Sequence, residues 1–162
     1  MQVRPIELIR TITFLLLGAI LMFLVQPLLY QNQFSFFFIG DQPVDTWISN
    51  EYTPGATLVF CVTSAMAIAW YFWSSRAKIS RAEQVQGWRL TWWLMGVVPM
   101  LSIGAAIGFF NTSPDGLATL TFCFVVDVLI LYWVSTATSS PVPVKYVPPL
   151  SSFLRPLIEP GM

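Results

Sequence analysis

The chain has 162 residues, of which 56% are hydrophobic and 10% are charged, whereas an average soluble domain has roughly 25% charged residues. Lysine and arginine together number eight, as do aspartate and glutamate, so the net charge is zero and predicts no nucleic-acid partner. The absence of histidine removes the commonest metal ligand, the usual haem ligand and the usual acid–base catalyst near neutral pH. We therefore predict an integral membrane protein that holds neither a metal nor another cofactor.

The first apolar run extends from Thr11 to Tyr30. At 1.5 Å per residue, about 20 residues match the ~30 Å hydrocarbon core of a bilayer. Arg4 and Arg10 precede the run as in a signal peptide, but the run is too long for one and lacks an A-x-A cleavage site. The pattern predicts an uncleaved first membrane span.

The loop from Gln31 to Thr53 that follows is aromatic where loops are normally polar. Such a segment is poorly solvated, so it either lies half-buried in the membrane interface or docks against a partner that covers it. The candidate partner-binding residues are Phe34, Phe36, Phe37, Phe38 and Trp47.

Three further apolar runs complete the predicted membrane domain: Gly55 to Trp73, Leu90 to Phe110, and Leu117 to Ser135. We expect Thr53 to be the N-cap of the second span and Pro54 to be its first helical residue, where a missing N–H is tolerated. The connection between the last two spans is short, which predicts an antiparallel helical hairpin.

The third span contains Gly104 and Gly108, a GxxxG pattern that lets two helix backbones approach closely in lipid. We expect this helix-packing pair to serve contacts within the bundle. An interface between subunits is the alternative.

Asp127 is the only acidic residue within the predicted spans, and these spans contain no lysine or arginine. A carboxylate in lipid is costly and marks a functional site by default. Thr63, Ser64 and Ser102 have hydroxyl groups at a similar depth and are the candidate hydrogen-bond partners. Proton or ion movement through Asp127 is one interpretation, and a neutral or partner-satisfied packing role is the favoured one.

The C-terminal tail, residues 136–162, contains six of the twelve prolines, interleaved with apolar residues. Disordered tails are poor in such residues. We expect an extended Pro-rich segment laid along an apolar surface, with Tyr146, Phe153 and Leu154 as partner contacts. A segment lying on the membrane surface is the alternative.

The predicted fold is an all-α, four-helix membrane domain (1–135) followed by the tail. The basic residues all fall in the N-terminal segment, in the loop between the second and third spans, and in the tail. Because basic residues remain in the cytoplasm, both termini are expected there. A bacterial inner membrane or a thylakoid membrane is the expected location.

Two functions follow from these features, and catalysis is not one of them, since no span carries paired carboxylates or a nucleophile motif. The first is a non-catalytic accessory, assembly or scaffolding subunit of a larger membrane complex, with lipids and other integral membrane subunits as partners. The alternative is a small transporter or proton-conducting protein that uses Asp127.

Overall fold

The computed structural model describes residues 5–32, 34, 37, 39, 41–79, 82–111 and 114–158, and in this part of the chain every regular element is a helix. Four helices are long and apolar enough to cross a membrane. These helices are α1 (Pro5–Gln31), α2 (Val44–Ser74), α3 (Ala82–Phe110) and α4 (Leu117–Ser139). A 3₁₀ turn, Val142–Val144, and a short helix α5, Ser151–Ile158, follow. The predicted all-helical chain with four spans is confirmed.

The central pair of the bundle is α2 and α4. About 44% of the apolar window of each is buried, compared with 17% for α1 and 22% for α3. The α2 helix packs along α3 on one side and contacts α1 and α4 on the other. Helices α1 and α3 therefore expose long apolar faces, as expected of helices surrounded by lipid.

The start of α2 differs from the prediction. The helix begins at Val44, so Thr53 is not an N-cap and Pro54 lies inside a continuous helix. The turn before the proline, Ile48–Tyr52, is π-helical, and the Thr53 N–H bonds the carbonyl of Ile48 five residues back. In a regular α-helix, the ring of Pro54 would clash with the preceding turn. The wider π-helical turn makes room for it.

The other spans are also longer than their apolar runs. Helix α1 begins at Pro5, α3 at Ala82, and α4 continues to Ser139. Hydropathy locates only the hydrocarbon-embedded part, whereas backbone hydrogen bonding continues into the interface. The 29 residues of α3 extend roughly 43 Å, well beyond the thickness of the core.

The start of α1 and the end of α4 lie on the same side of the bundle, which we call the terminal end. Thr11 of α1 donates a 2.9 Å hydrogen bond to Ser139 of α4. Two indole N–H groups donate there as well, from Trp70 to Ser140 and from Trp92 to Thr136, each at 2.9 Å. The opposite end, which carries Trp47, is called the loop end.

The described part of the tail, up to Ile158, is folded onto the terminal end and includes a helix, so it is not the extended segment that was predicted. Val144 and Val147 are buried, and the carbonyl of Pro149 accepts a 2.8 Å hydrogen bond from the indole of Trp133. Arg155 of α5 donates to the carbonyls of Ala137, at 3.2 Å, and Ser140. The last carbonyl groups of a helix have no N–H donor within the helix. Arg155 of the tail supplies donors to these carbonyls at the end of α4.

Candidate functional site

Asp127 lies near the middle of α4 and is fully buried, at 0% exposure. Its Oδ1 accepts a 2.7 Å hydrogen bond from Nε2 of Gln26 in α1. Its Oδ2 has no hydrogen-bond partner among the described residues, and no ion pair joins the carboxyl group to any of them. The chain thus supplies a neutral amide as the partner of its intramembrane acid.

The amide of Gln26 connects Asp127 to a third helix. The hydroxyl of Tyr52 in α2 lies 2.6 Å from Oε1 of Gln26 and 2.7 Å from the carbonyl oxygen of Met22. A phenol has a single proton, so the hydroxyl donates to one of these acceptors at a time. We call Asp127, Gln26, Tyr52 and the Met22 carbonyl the polar network, and it joins α1, α2 and α4.

The Met22 carbonyl is available because of a proline. The segment Leu21–Val25 is π-helical, and the Gln26 N–H bonds the carbonyl of Leu21. The next donor in line would be residue 27, but Pro27 has no N–H. Neither residue that could donate to Met22 in an α- or π-helical turn does so, and a buried carbonyl needs a donor. The hydroxyl of Tyr52 provides it.

Each side chain of the network lies beside a π-helical turn. Gln26 directly follows the turn in α1, and Tyr52 ends the turn in α2. Asp127 precedes a third such turn, Leu129–Val134, by two residues. Isolated π-helical turns inside α-helices are frequent at functional sites, so their coincidence with the network marks it as the candidate site.

An aromatic cluster covers the network toward the loop end. The ring centroid of Tyr30 lies 5.1 Å from Phe37, 4.7 Å from Trp47 and 5.7 Å from Tyr52. Trp47 is 2% exposed, so its ring packs inside the bundle, and its role as a partner contact stays a prediction. The Tyr30 hydroxyl and the Trp47 indole N–H have no hydrogen-bond partner among the described residues.

The remaining predicted loop contacts divide between surface and interior. Phe34 is 58% exposed, whereas Phe37 is half-buried against Tyr30. Phe36 and Phe38 lie outside the described residues. In the described part of the loop, the aromatic residues mainly close the bundle, and Phe34 projects outward.

The hydroxyl groups expected to bind Asp127 do not do so. Ser102 donates to the carbonyl of Pro99 in its own helix, at 2.6 Å. Thr63 and Ser64 are buried in α2, and their hydroxyl groups have no partner among the described residues. The depth of a residue in the membrane can be predicted from the sequence, but it does not show which helix faces meet.

The GxxxG pair faces out of the bundle, contrary to the favoured prediction. A Cβ atom added at Gly104 or Gly108 would meet no atom of a described residue within 4 Å. Both glycines are exposed, as are Leu101 and Phe109 of the same helix, at 67% and 79%. The pair leaves an exposed surface without side chains on α3, which we call the glycine face.

Other glycines make the close contacts inside the bundle. A Cβ atom at Gly18 would lie 2.2 Å from Cδ2 of Leu131, where α1 crosses α4. The corresponding distances are 3.0 Å from Gly96 to Tyr132 and 3.3 Å from Gly55 to Phe124. These contacts show that isolated glycines, without a motif, bring the helices together.

The outer side of the tail is apolar. Tyr146 is 56% exposed, Leu150 57% and Phe153 66%, and Leu154 is half-buried. The predicted tail contacts therefore lie at the surface of the terminal end, where they are available to a partner or to the membrane.

No protein-family model matches the chain, and no curated protein or solved structure matches it either. Within the described residues, no group of three His, Cys, Asp or Glu side chains could hold a metal ion. Sequence reasoning identified Asp127 but missed Gln26 and Tyr52. The available signal was a polar residue directly before a proline in an apolar run, as Gln26 precedes Pro27.

Proposed function

We propose that this protein is a non-catalytic accessory, assembly or scaffolding subunit of a larger membrane complex. The glycine face carries the proposal. Glycine costs roughly 1 kcal/mol relative to alanine in a helix interior, and Gly104 and Gly108 make no compensating contact with any described residue of their own chain. A surface without side chains, one helical turn long, allows the backbone of a second helix to approach closely, which gains van der Waals contact in lipid.

The tail supports the proposal with a second apolar surface. Tyr146, Leu150 and Phe153 are exposed beside the membrane domain although the inner side of the tail is already packed. Exposed apolar patches outside the hydrocarbon region mark interaction sites. A partner with both a membrane helix and a domain beyond the membrane would cover both surfaces.

The distribution of charge supports an orientation with both termini in the cytoplasm. Arg76, Lys78 and Arg89 lie at the terminal end, whereas Asp41 and Asp115 lie at the loop end. A bacterial inner membrane or a thylakoid membrane fits this asymmetry.

Two features that suggested a partner from the sequence no longer support one. Asp127 is hydrogen-bonded within the chain, and Trp47 packs within the bundle. The proposal therefore depends on the glycine face and the tail.

The test is to replace Gly104 and Gly108 together with leucine and to purify the protein from its native membrane in mild detergent. Because no described atom lies near either position, we expect the variant to fold normally. We expect co-purifying membrane proteins to fall at least tenfold, since the leucine side chains cover the glycine face.

The matched control is Val98→Leu, which adds volume at a 41% exposed position on another side of α3. This control should retain all partners. Undiminished recovery of partners with the double leucine variant would contradict the proposal. Recovery of only a second copy of this chain from the wild type would also contradict it.

A second candidate function, proton conduction, is favoured by one property of the polar network. If the Gln26 amide is turned over, Nε2 donates to Tyr52, Tyr52 donates to the Met22 carbonyl, and Oε1 accepts a proton from a protonated Asp127. The observed orientation instead suits a carboxylate, to which Nε2 donates. The two hydrogen-bond patterns differ by one proton on Asp127 and by a flip of the Gln26 side-chain amide. A proton-carrying group must be able to form hydrogen bonds in both its protonated and its deprotonated state.

Proton flux into vesicles that contain the purified protein tests this candidate. Asp127→Asn preserves the acceptor oxygen but carries no exchangeable acid, so flux should fall to that of protein-free vesicles. Asp45→Asn, at an exposed position near the loop end, should leave flux unchanged. If wild-type vesicles are as proton-tight as protein-free ones, this candidate is eliminated.

A further inference from the structure

A groove of about 420 Å³ lies at the terminal end, between α3 and the tail. Arg89 and Trp93 line it from α3, and the tail contributes Tyr146, Leu150 and the serines that begin α5, Ser151 and Ser152. We propose that this groove binds the phosphate group of an anionic phospholipid. The site is separate from the glycine face, which lies elsewhere on α3, and it shares Tyr146 and Leu150 with the apolar surface of the tail.

The polar side of the groove has donors without acceptors. Ser151 is 97% buried, at 3% exposure, yet its hydroxyl group has no hydrogen-bond partner among the described residues. The guanidinium of Arg89 and the hydroxyl of Ser152 likewise bind no described side chain or backbone group. The Ser151 hydroxyl oxygen is not one of the fully enclosed unpartnered atoms, so it reaches the groove, where a ligand oxygen can accept its proton.

The backbone adds one further donor for an anion, the N–H group of Ser152. Ser151 and Ser152 form the first turn of α5, where backbone N–H groups and the helix dipole favour negative charge. In this turn the N–H groups of Ser151, Phe153 and Leu154 have backbone acceptors, and Ser152 has none among the described residues. An arginine with serine hydroxyls at a helix N-terminus is suited to phosphate recognition.

Charge complementarity supports the same ligand. No acidic residue is among the described residues that line the groove. The ammonium group of Lys145 lies 4.7 Å from the ring centroid of Tyr146, which places a second positive charge at the edge of the groove. A phosphodiester with a neutral or anionic remainder is therefore favoured over a headgroup with its own cation.

The depth of the groove favours a lipid over free phosphate. Arg89 lies 21 residues before Phe110, so the two are roughly 32 Å apart along α3, about the thickness of the hydrocarbon core. The side chains of Trp93 and Leu150, 58% and 57% exposed, line the groove beside the polar groups. Leu150 has a φ of 60°, an unfavourable conformation for a leucine, although its side chain gains little burial within the chain. An acyl chain lying against both side chains would cover them.

Native mass spectrometry of the purified full chain in detergent, titrated with dioleoyl phosphatidylglycerol, tests the site. Arg89→Gln should weaken binding about tenfold because a charge-assisted hydrogen bond is lost. Ser152→Ala should weaken it severalfold. Lys78→Gln removes one positive charge from an exposed position outside the groove and should change binding less than twofold.

Two further titrations separate the possible sources of phosphate. Dioleoyl phosphatidylcholine should bind more weakly than phosphatidylglycerol, and millimolar inorganic phosphate should not displace the lipid. Equal binding by wild type and Arg89→Gln would overturn the proposal. Full displacement by inorganic phosphate would overturn it as well, because the groove would then be a site for the free ion.

Discussion

Replacing Gln26 with leucine is expected to lower the free energy of unfolding by about 3 kcal/mol. The substitution removes the only hydrogen bond of the Asp127 carboxyl group to a described residue and one of the two acceptors of Tyr52. A buried polar group that loses its partner costs its full desolvation energy, and Asp127 is 0% exposed. For a chain of this size, the loss corresponds to a fall in melting temperature of about 6 to 12 °C in detergent.

Gln31→Leu is the matched control for this measurement. Gln31 lies in the same helix and donates to Asp45, but the contact is exposed and 3.3 Å long. We expect a change below about 0.5 kcal/mol. Replacing Gln26 and Asp127 together with leucine should recover much of the lost stability, because no polar group is then left unpaired. A melting temperature for Gln26→Leu equal to that of the wild type would show that the network does not stabilise the bundle.

Gly18→Ala is expected to destabilise the protein by about 1 to 3 kcal/mol. The added Cβ would lie 2.2 Å from Cδ2 and 2.7 Å from Cγ of Leu131, and Leu131 is fully buried. Because two atoms of the side chain are affected, rotation of one methyl group cannot relieve the overlap. Either Leu131 leaves its position or α1 moves away from α4, and the melting temperature in detergent should report the cost.

Gly104→Ala is the control for Gly18→Ala, since the same change at the glycine face meets no described atom within 4 Å. It should be neutral or stabilising by up to roughly 1 kcal/mol. Combining Gly18→Ala with Leu131→Ala should cost less than the sum of the two single changes, because the smaller side chain makes room for the new methyl group. Additive losses would contradict the proposed contact.

Much of the fold could be predicted because lipid imposes a simple constraint. Apolar runs of about 20 residues give the number of spans, and the structure has four. The helix ends could not be predicted in this way, since polar residues outside the hydrocarbon core remain helical. Pro54 was misassigned as a helix start because its usual position depends on α-helical geometry, whereas the turn before it is π-helical.

The candidate site was predicted in part. Asp127 was identifiable because a carboxyl group is rare in lipid. Its partner Gln26 is 101 positions away in the chain and lies on the face of α1 that meets α4 only in the folded bundle. The GxxxG pattern was misassigned for the same reason: the sequence gives the spacing of Gly104 and Gly108 but not the direction in which they face.

The π-helical turn Leu21–Val25 changes the direction in which the residues after it face around the axis of α1. Gly18 and Gln26 both face α4, yet eight residues of regular α-helix would place them about 80° apart around the axis. One residue absorbed by a wider turn reduces the difference to about 20°. A regular α-helical turn of the same length would therefore disengage either the glycine contact or the amide contact, whereas deleting one residue from the wider turn would keep both contacts in phase.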